Sequence, residues 1–186
     1  TSDGAGYYAY LPAVFIHHSP IITDPSLYYA GYYYLEFPAF NKITGTSTYI
    51  IKYPPGTAVL MLPGFTIATV LSWLYSYPID GYNQIYQVIV GYSAVVYTLL
   101  GLGILYNVLR SYFSPFLSKL TLWLLILTTS LFTYATYSPT FSHAYAFFTI
   151  SLFLLLVIRW HKNPYSTKLS LLLGSSLGLA TLVRQT

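Results

Sequence analysis

No aspartate or glutamate occurs between Gly81 and Thr186. The full charges in that stretch are Arg110, Lys119, Arg159, Lys162, Lys168 and Arg184, all positive. Long apolar runs separate them, such as 120–135 and 149–158. A water-soluble domain needs charged surface and does not leave so much chain without carboxylates. A lipid-embedded bundle does need such runs, because a charge at the bilayer centre costs roughly 3 kcal/mol on insertion scales. The four acids, Asp3, Asp24, Glu36 and Asp80, all stand in the first 80 residues. The chain therefore divides into a polar, aromatic front and a membrane-spanning rear.

Composition bears this out. Charged residues make up 6% of the chain, against about 25% in an average globular domain. The 22 Tyr and 11 Phe suit membrane interfaces, where an apolar ring meets a polar tip. No basic face with interleaved aromatics is present, so nucleic acid is excluded as a partner. The absence of Cys excludes a disulfide framework and thiolate metal sites. The chain opens on Thr1 rather than Met and shows no signal peptide, and it reads as a fragment of a longer chain.

These features predict an all-α polytopic integral membrane protein. About 20 apolar residues cover the hydrocarbon. Four segments fit that need, roughly 84–109, 116–137, 141–159 and 168–183, and form a transmembrane bundle over 84–186. Arg110 and Lys119 flank one loop, and Arg159, Lys162 and Lys168 flank another. The positive-inside rule places both loops in the cytoplasm, so the 137–143 loop and residue 83 lie outside. The apolar run 57–76, with Pro63-Gly64 in its middle, then reads as a helix lying in the interface or dipping into the membrane and returning. A true span there is the alternative, and it would invert the basic loops.

Residues 1–83 make the external loop. Asp3 fits as the cap of a helix over about 4–18, with an apolar stripe of Tyr7, Leu11, Val14, Phe15 and His18 and a bend at Pro12. The stretch 19–45 is rich in Pro, Tyr, Gly and Thr and reads as a loop. Tyr28-Tyr29 and Tyr32-Tyr33-Tyr34 read as an aromatic belt. Gly174 and Gly178 read as a close helix contact. Asp80-Gly81 reads as a turn.

Polar groups gather at the outer face. They are Asp3 and Tyr7, then Lys52 ahead of Pro54-Pro55-Gly56, then Ser142-His143, and finally Arg184 at the outer end of the last span. An acid, a Lys, a Ser/His pair and an Arg at the lipid boundary suit an anionic lipid headgroup. Lys and Arg would hold its phosphate, and the carboxylate would take a proton from an acceptor hydroxyl. Each also has a plainer role: Asp3 as a cap, Lys52 and Arg184 as flanking charge, His143 as a satisfied interfacial side chain. A transporter or lipid-linked sugar flippase without transferase chemistry would explain the spans equally well. It would place polar or charged groups mid-span, and near the middle of the four spans the polar residues are only Ser, Thr, Asn107 and Tyr.

The order of these elements resembles the GT-C membrane glycosyltransferases. The resemblance is to the dolichyl-phosphate-mannose protein mannosyltransferase-like group (glycosyltransferase family 39) and its bacterial aminoarabinose-transferase relatives. Asp3 and Tyr7 match the family's Asp-Glu-x-x-Tyr spacing, with Gly4 in place of Glu. Lys52-Tyr53-Pro54-Pro55-Gly56 is similar to its Lys-x-Pro-Pro element, which leads into an interfacial helix. Ser142-His143-Ala144-Tyr145 stands where the family's next external loop often carries an Asp after Thr or Ser, and resembles a bacterial subgroup with His at that place. Gly178 to Arg184 is similar to the family's helix that ends in Arg, although Gln185 replaces the usual Pro.

The resemblance implies an enzyme with a GT-C-like helical bundle in the cell membrane, working on its external or periplasmic face. It would move a sugar, with inversion, from a polyprenyl-phosphate donor to a lipid, protein or glycan acceptor. It implies Asp3 as general base, and Lys52, His143, Arg184, Tyr7 and Ser142 around the donor phosphate. A divalent metal ion held by Asp3 and His143 is an open expectation.

Overall fold

The computed structural model describes residues 2–19, 21–28 and 39–184. Helices dominate. In chain order come α1 (Ser2–Tyr8), α2 (Tyr10–Phe15), a hairpin of β1 (Phe40–Lys42) and β2 (Tyr49–Ile51), and α3 (Gly56–Leu74). Then follow α4 (Gln84–Arg110), α5 (Pro115–Thr128), α6 (Leu131–Thr136), α7 (Ser142–Lys162) and α8 (Thr167–Val183).

Local chemistry sets the helix ends. The Asn83 side chain accepts from the Ile85 N–H at 2.8 Å and starts α4. Ser114 and Ser166 do the same for Leu117 and Leu169 ahead of α5 and α8. Each such cap contributes about 1 kcal/mol. Helix α7 stops at Lys162 because Pro164 drives Asn163 out of helical geometry, to φ −146° and ψ 72°. The α3–α4 turn forms as expected. Asp80 accepts from the Tyr82 and Asn83 N–H groups, and Gly81 takes φ +78°.

Among the described residues three helices are long and apolar enough to cross a membrane: α3 with 19 residues, α4 with 27 and α7 with 21. Helices α4 and α7 run in the same direction. The Tyr97 ring packs at a tilt against those of Tyr145 and Phe148, and Gly101 meets Phe147. Helix α8 runs opposite to α7, since Trp160 donates to Ser170 while Arg184 reaches His143. One end of the bundle therefore carries Arg110, Lys119, Arg159, Lys162 and Lys168, and the other carries Ser142, His143 and Arg184.

Helix α3 lies antiparallel to the first half of α4. Asn83 donates to Ser72 at 2.9 Å, the Tyr86 hydroxyl donates to Thr69 at 2.9 Å, and Gly64 faces Ser93. Its first turn meets the last turn of α8. A Cβ at Gly56 would run into the Leu182–Val183 backbone, so only glycine permits this approach. The outward face of α3 is Val59, Ile67, Val70, Trp73 and Leu74, all exposed. No charged residue occurs between Lys52 and Asp80, so that face suits lipid rather than water.

Several expectations change. The 116–137 span is broken. Thr129 takes extended geometry at φ −113° and ψ 166° and separates α5 from α6. The Thr128 and Thr129 hydroxyls each bond back to the carbonyl four residues earlier, at 2.7 Å, and Thr129 then receives the Leu131 N–H. Polar side chains competing for backbone groups end the helix there. The 4–18 helix becomes α1 and α2, because Pro12 offers no N–H to the Tyr8 carbonyl. It stops at Phe15, and His18 turns the chain at φ +52°. Tyr7 and Leu11 are buried, but Val14, Phe15 and His18 are exposed.

The 19–45 stretch is not simply a loop, since it supplies β1 and a 3-10 turn at Pro25–Tyr28. Tyr28 is buried against Phe40 and His17 rather than set in a belt, and Tyr29 and Tyr32 to Tyr34 lie outside the described residues. A Cβ on Gly174 or Gly178 would meet nothing within 4 Å, so the glycines of α8 make no close helix contact among the described residues.

The front is packed onto the helices. One apolar cluster joins Tyr8 and Leu11 to Met61, Phe65, Tyr86, Val90, Tyr145 and Val183. The Tyr8 hydroxyl, in that cluster, donates to the Gly81 carbonyl at 2.5 Å. Burial and the nearby Tyr86 and Asp80 push the Tyr8 phenol pKa upward, so it stays a neutral donor. A second cluster of Ala9, Ala13, Ile22, Tyr28, Ala39 and Phe40 lies under the hairpin.

Candidate functional site

Helical spacing puts Asp3 and Tyr7 on one face of α1. The hairpin delivers the next residues. Phe40 pairs with Ile51, and the Lys52 N–H donates to the Ala39 carbonyl at 3.0 Å, which extends the ladder past β2. The Tyr10 hydroxyl donates to the Tyr53 carbonyl at 2.7 Å. So anchored, Tyr53 lays its ring 4.6 Å from that of Tyr7 and donates its hydroxyl to Asp3 Oδ1 at 2.5 Å. Asp3 therefore sits inside the first turn of α1 with its carboxylate on a tyrosine.

Tyr7 continues the connection. Its hydroxyl accepts from Ser142 Oγ at 3.1 Å, in a buried contact that spans 135 residues of sequence. Ser142 opens α7, and His143 follows it. The His143 ring stacks on Tyr134 of α6 at 3.8 Å and 17°. Arg184 Nη1 lies 2.6 Å from His143 Nδ1. A guanidinium only donates, so Nδ1 accepts and the ring proton sits on Nε2. Helix α7 starts at Phe141 with no side-chain cap, so the positive end of its dipole adds to the Arg184 charge.

The residues singled out in the sequence thus divide into a connected set and an outlier. Asp3, Tyr7 and Ser142 are linked through Tyr53, and His143 with Arg184 follows directly. Lys52 stands next to Tyr53 but is exposed, with its ammonium 5.9 Å from the Tyr53 ring centroid. Arg184 is exposed too. Two contributors carried no sequence signal for a role. Tyr53 lay inside the Lys-x-Pro-Pro element as its variable position. Tyr134 lay in what read as lipid-facing span.

The metal expectation does not fit. Among the described residues no three His, Asp or Glu side chains converge. Arg184 sets a cation against the Nδ1 of His143. What the side chains offer is a carboxylate at one end of a tyrosine-lined cluster and an exposed guanidinium with a histidine N–H at the other. Such a set can accept a proton at one point and hold an anion at another.

Comparison with protein-family models, with curated proteins and with solved structures returns no match to this chain.

Proposed function

We propose that this chain is a membrane glycosyltransferase of the GT-C type. It moves a sugar from a polyprenyl-phosphate donor to an acceptor at the external face of the cell membrane. The observation that carries the reading is the Asp3–Tyr53–Tyr7–Ser142 connection, which continues to His143 and Arg184 at the end of the bundle away from the other basic residues. Elements far apart in sequence bring an acid and an anion-binding pair together where helices α7 and α8 meet the surface.

Asp3 takes the proton from the acceptor hydroxyl as its oxygen attacks the anomeric carbon. The bond from that carbon to the phosphate oxygen breaks on the opposite side, so the configuration inverts. The departing polyprenyl phosphate keeps the bonding pair. Arg184 and His143 Nε2–H receive its developing charge, joined by Lys52 from the segment beside Tyr53, which is where a fixed donor lowers the barrier. The apolar outer faces of α3 and α5 suit the lipid that carries such a donor. The basic ends of α4 and α7 then face the cytoplasm.

The test follows labelled polyprenyl-phosphate hexoses and pentoses in membranes that contain the protein. Wild type is expected to consume one donor, and Asp3→Asn is expected to lose about 100-fold or more of that rate. Turnover retained by folded Asp3→Asn removes Asp3 as base. Sidedness has its own check. Cysteines introduced at Thr46 and Asn163, both exposed, should label from opposite sides of sealed membranes. Labelling of both from one side defeats the topology.

A further inference from the structure

The proposed base is hydrogen-bonded to a residue to which the reaction scheme gives no task. Tyr53 donates to Asp3 Oδ1 at 2.5 Å. Three features hold the phenol there. Its backbone carbonyl is bound by the Tyr10 hydroxyl at 2.7 Å. Its ring packs on the Tyr7 ring at 4.6 Å. Gly6 lies beneath it, where a Cβ would overlap the Tyr53 ring and come within 2.9 Å of the Ala39 Cβ. Pro54-Pro55 directly after Tyr53 restrict the backbone that leaves it. A tyrosine ring on a glycine, clamped at carbonyl and ring face, has little freedom to turn.

We propose that Tyr53 is the positioning residue for Asp3. The phenol engages one carboxylate oxygen and so sets the plane in which the carboxylate meets the acceptor. It does so from the segment that carries Lys52, so base and cation are placed by one short stretch of backbone. Tyr53 touches neither donor nor acceptor in this role; it acts through Asp3. A carboxylate rotated about its side-chain torsions would meet the acceptor in a different plane. A misplacement of about 1 Å at a reacting group is enough to cost on the order of 100-fold in rate.

The inference rests on the reading of Asp3 as general base, and the experiment separates the two. Wild type, Asp3→Asn, Tyr53→Phe and Gly6→Ala are compared in membranes over a range of donor concentration, with thermal midpoints taken in detergent. Tyr53→Phe keeps the ring and removes only the hydroxyl. It should lower kcat about tenfold, with donor KM within about twofold and the thermal midpoint unchanged. Gly6→Ala keeps the hydroxyl but displaces the ring, and should lower kcat in the same way. It stands in for Tyr53→Phe should that variant fail to fold. On an Asp3→Glu background, whose longer side chain moves the carboxylate off the phenol, Tyr53→Phe should have little further effect.

Wild-type kcat in folded Tyr53→Phe, with Asp3→Asn inactive, overturns the Tyr53 role and leaves the base intact. A raised donor KM with unchanged kcat makes Tyr53 a donor contact and likewise overturns it. Turnover retained in Asp3→Asn overturns the base assignment and the positioning role together.

Discussion

Helices α5 and α7 are both apolar, yet they sit in the molecule differently. In α7 the buried residues are Ser142, Ala144, Tyr145, Ala146, Thr149, Ser151 and Leu156. In α5 only Ser118 is buried, while Phe116, Trp123, Leu124 and Leu127 are exposed. Large apolar side chains therefore mark the outside of this bundle, and small or hydroxylated ones mark its contacts. Lipid tails are as apolar as leucine, so burial of Leu between helices gains little over leaving it in the membrane. Close approach through Ser, Ala and Thr gains van der Waals contact instead. Tyr145 and Leu156 are the exceptions on α7, and Tyr145 is a large ring fully enclosed by Tyr97 and its neighbours.

The greatest loss is expected where that contrast is strongest. Tyr145→Ala opens a cavity in the main cluster and should destabilise by about 3 kcal/mol. Trp123→Ala, on the exposed face of α5, should change stability by less than about 0.5 kcal/mol. Detergent-based thermal unfolding of both variants measures the difference, and equal losses would mean that α5 is covered. Tyr145 has a second use. Its hydroxyl is buried without a hydrogen-bond partner among the described residues, so Tyr145→Phe should be neutral or stabilising.

The next contrast lies between two glycines. Gly56→Ala drives a Cβ into the backbone of Leu182 and Val183. It should cost about 1–3 kcal/mol as an overpacked contact and should reduce turnover, because Arg184 follows that backbone directly. Gly174→Ala meets open space and should leave stability unchanged or raise it by up to about 1 kcal/mol through helix propensity. Paired unfolding curves test this.

Tyr7→Phe is smaller again. It removes the acceptor of the Ser142 hydroxyl and should cost about 1 kcal/mol, with the ring contact to Tyr53 kept. Measured unfolding alongside Ser142→Ala should show that the double variant loses little more than either single one.

The smallest effect belongs to the exposed turn at Asp24. Hydrogen bonds from the Ser26 hydroxyl and N–H hold its carboxyl pKa below the ordinary aspartate value. The folded pKa is lowered, so the contribution is present above the unfolded pKa and fades as pH falls through the folded one. Solvent screening keeps it slight. Ser26→Ala should shift the Asp24 titration upward in carbon-detected NMR without a measurable change in stability at neutral pH.

Much of this molecule was legible as chemistry of local stretches. The carboxylate-free rear predicted long apolar helices, and α4, α7 and α8 lie within a few residues of their expected ranges. The flanking basic residues gave a common direction for α4 and α7, and the packing has it. The same local reasoning failed at Thr128-Thr129-Ser130, because hydropathy averages over side chains and does not register hydroxyls that capture backbone carbonyls. It failed at Val14 and Phe15, because an apolar stripe does not say whether a neighbour exists to cover it. Gly174 and Gly178 matched a packing pattern whose partner is absent among the described residues.

For the candidate site, residue type and order sufficed to pick out Asp3, Tyr7, Lys52, Ser142, His143 and Arg184, since charges and hydroxyls stand out in an apolar chain. Tyr53 and Tyr134 did not stand out among so many tyrosines. Their roles come from distance: one hydroxyl against Asp3, one ring against His143. Composition and periodicity establish which segments can enter lipid, because that follows from each residue's own transfer energy. Which tyrosine meets which acid depends on how α1, the hairpin, α7 and α8 close on one another, and that is a property of the packed chain alone.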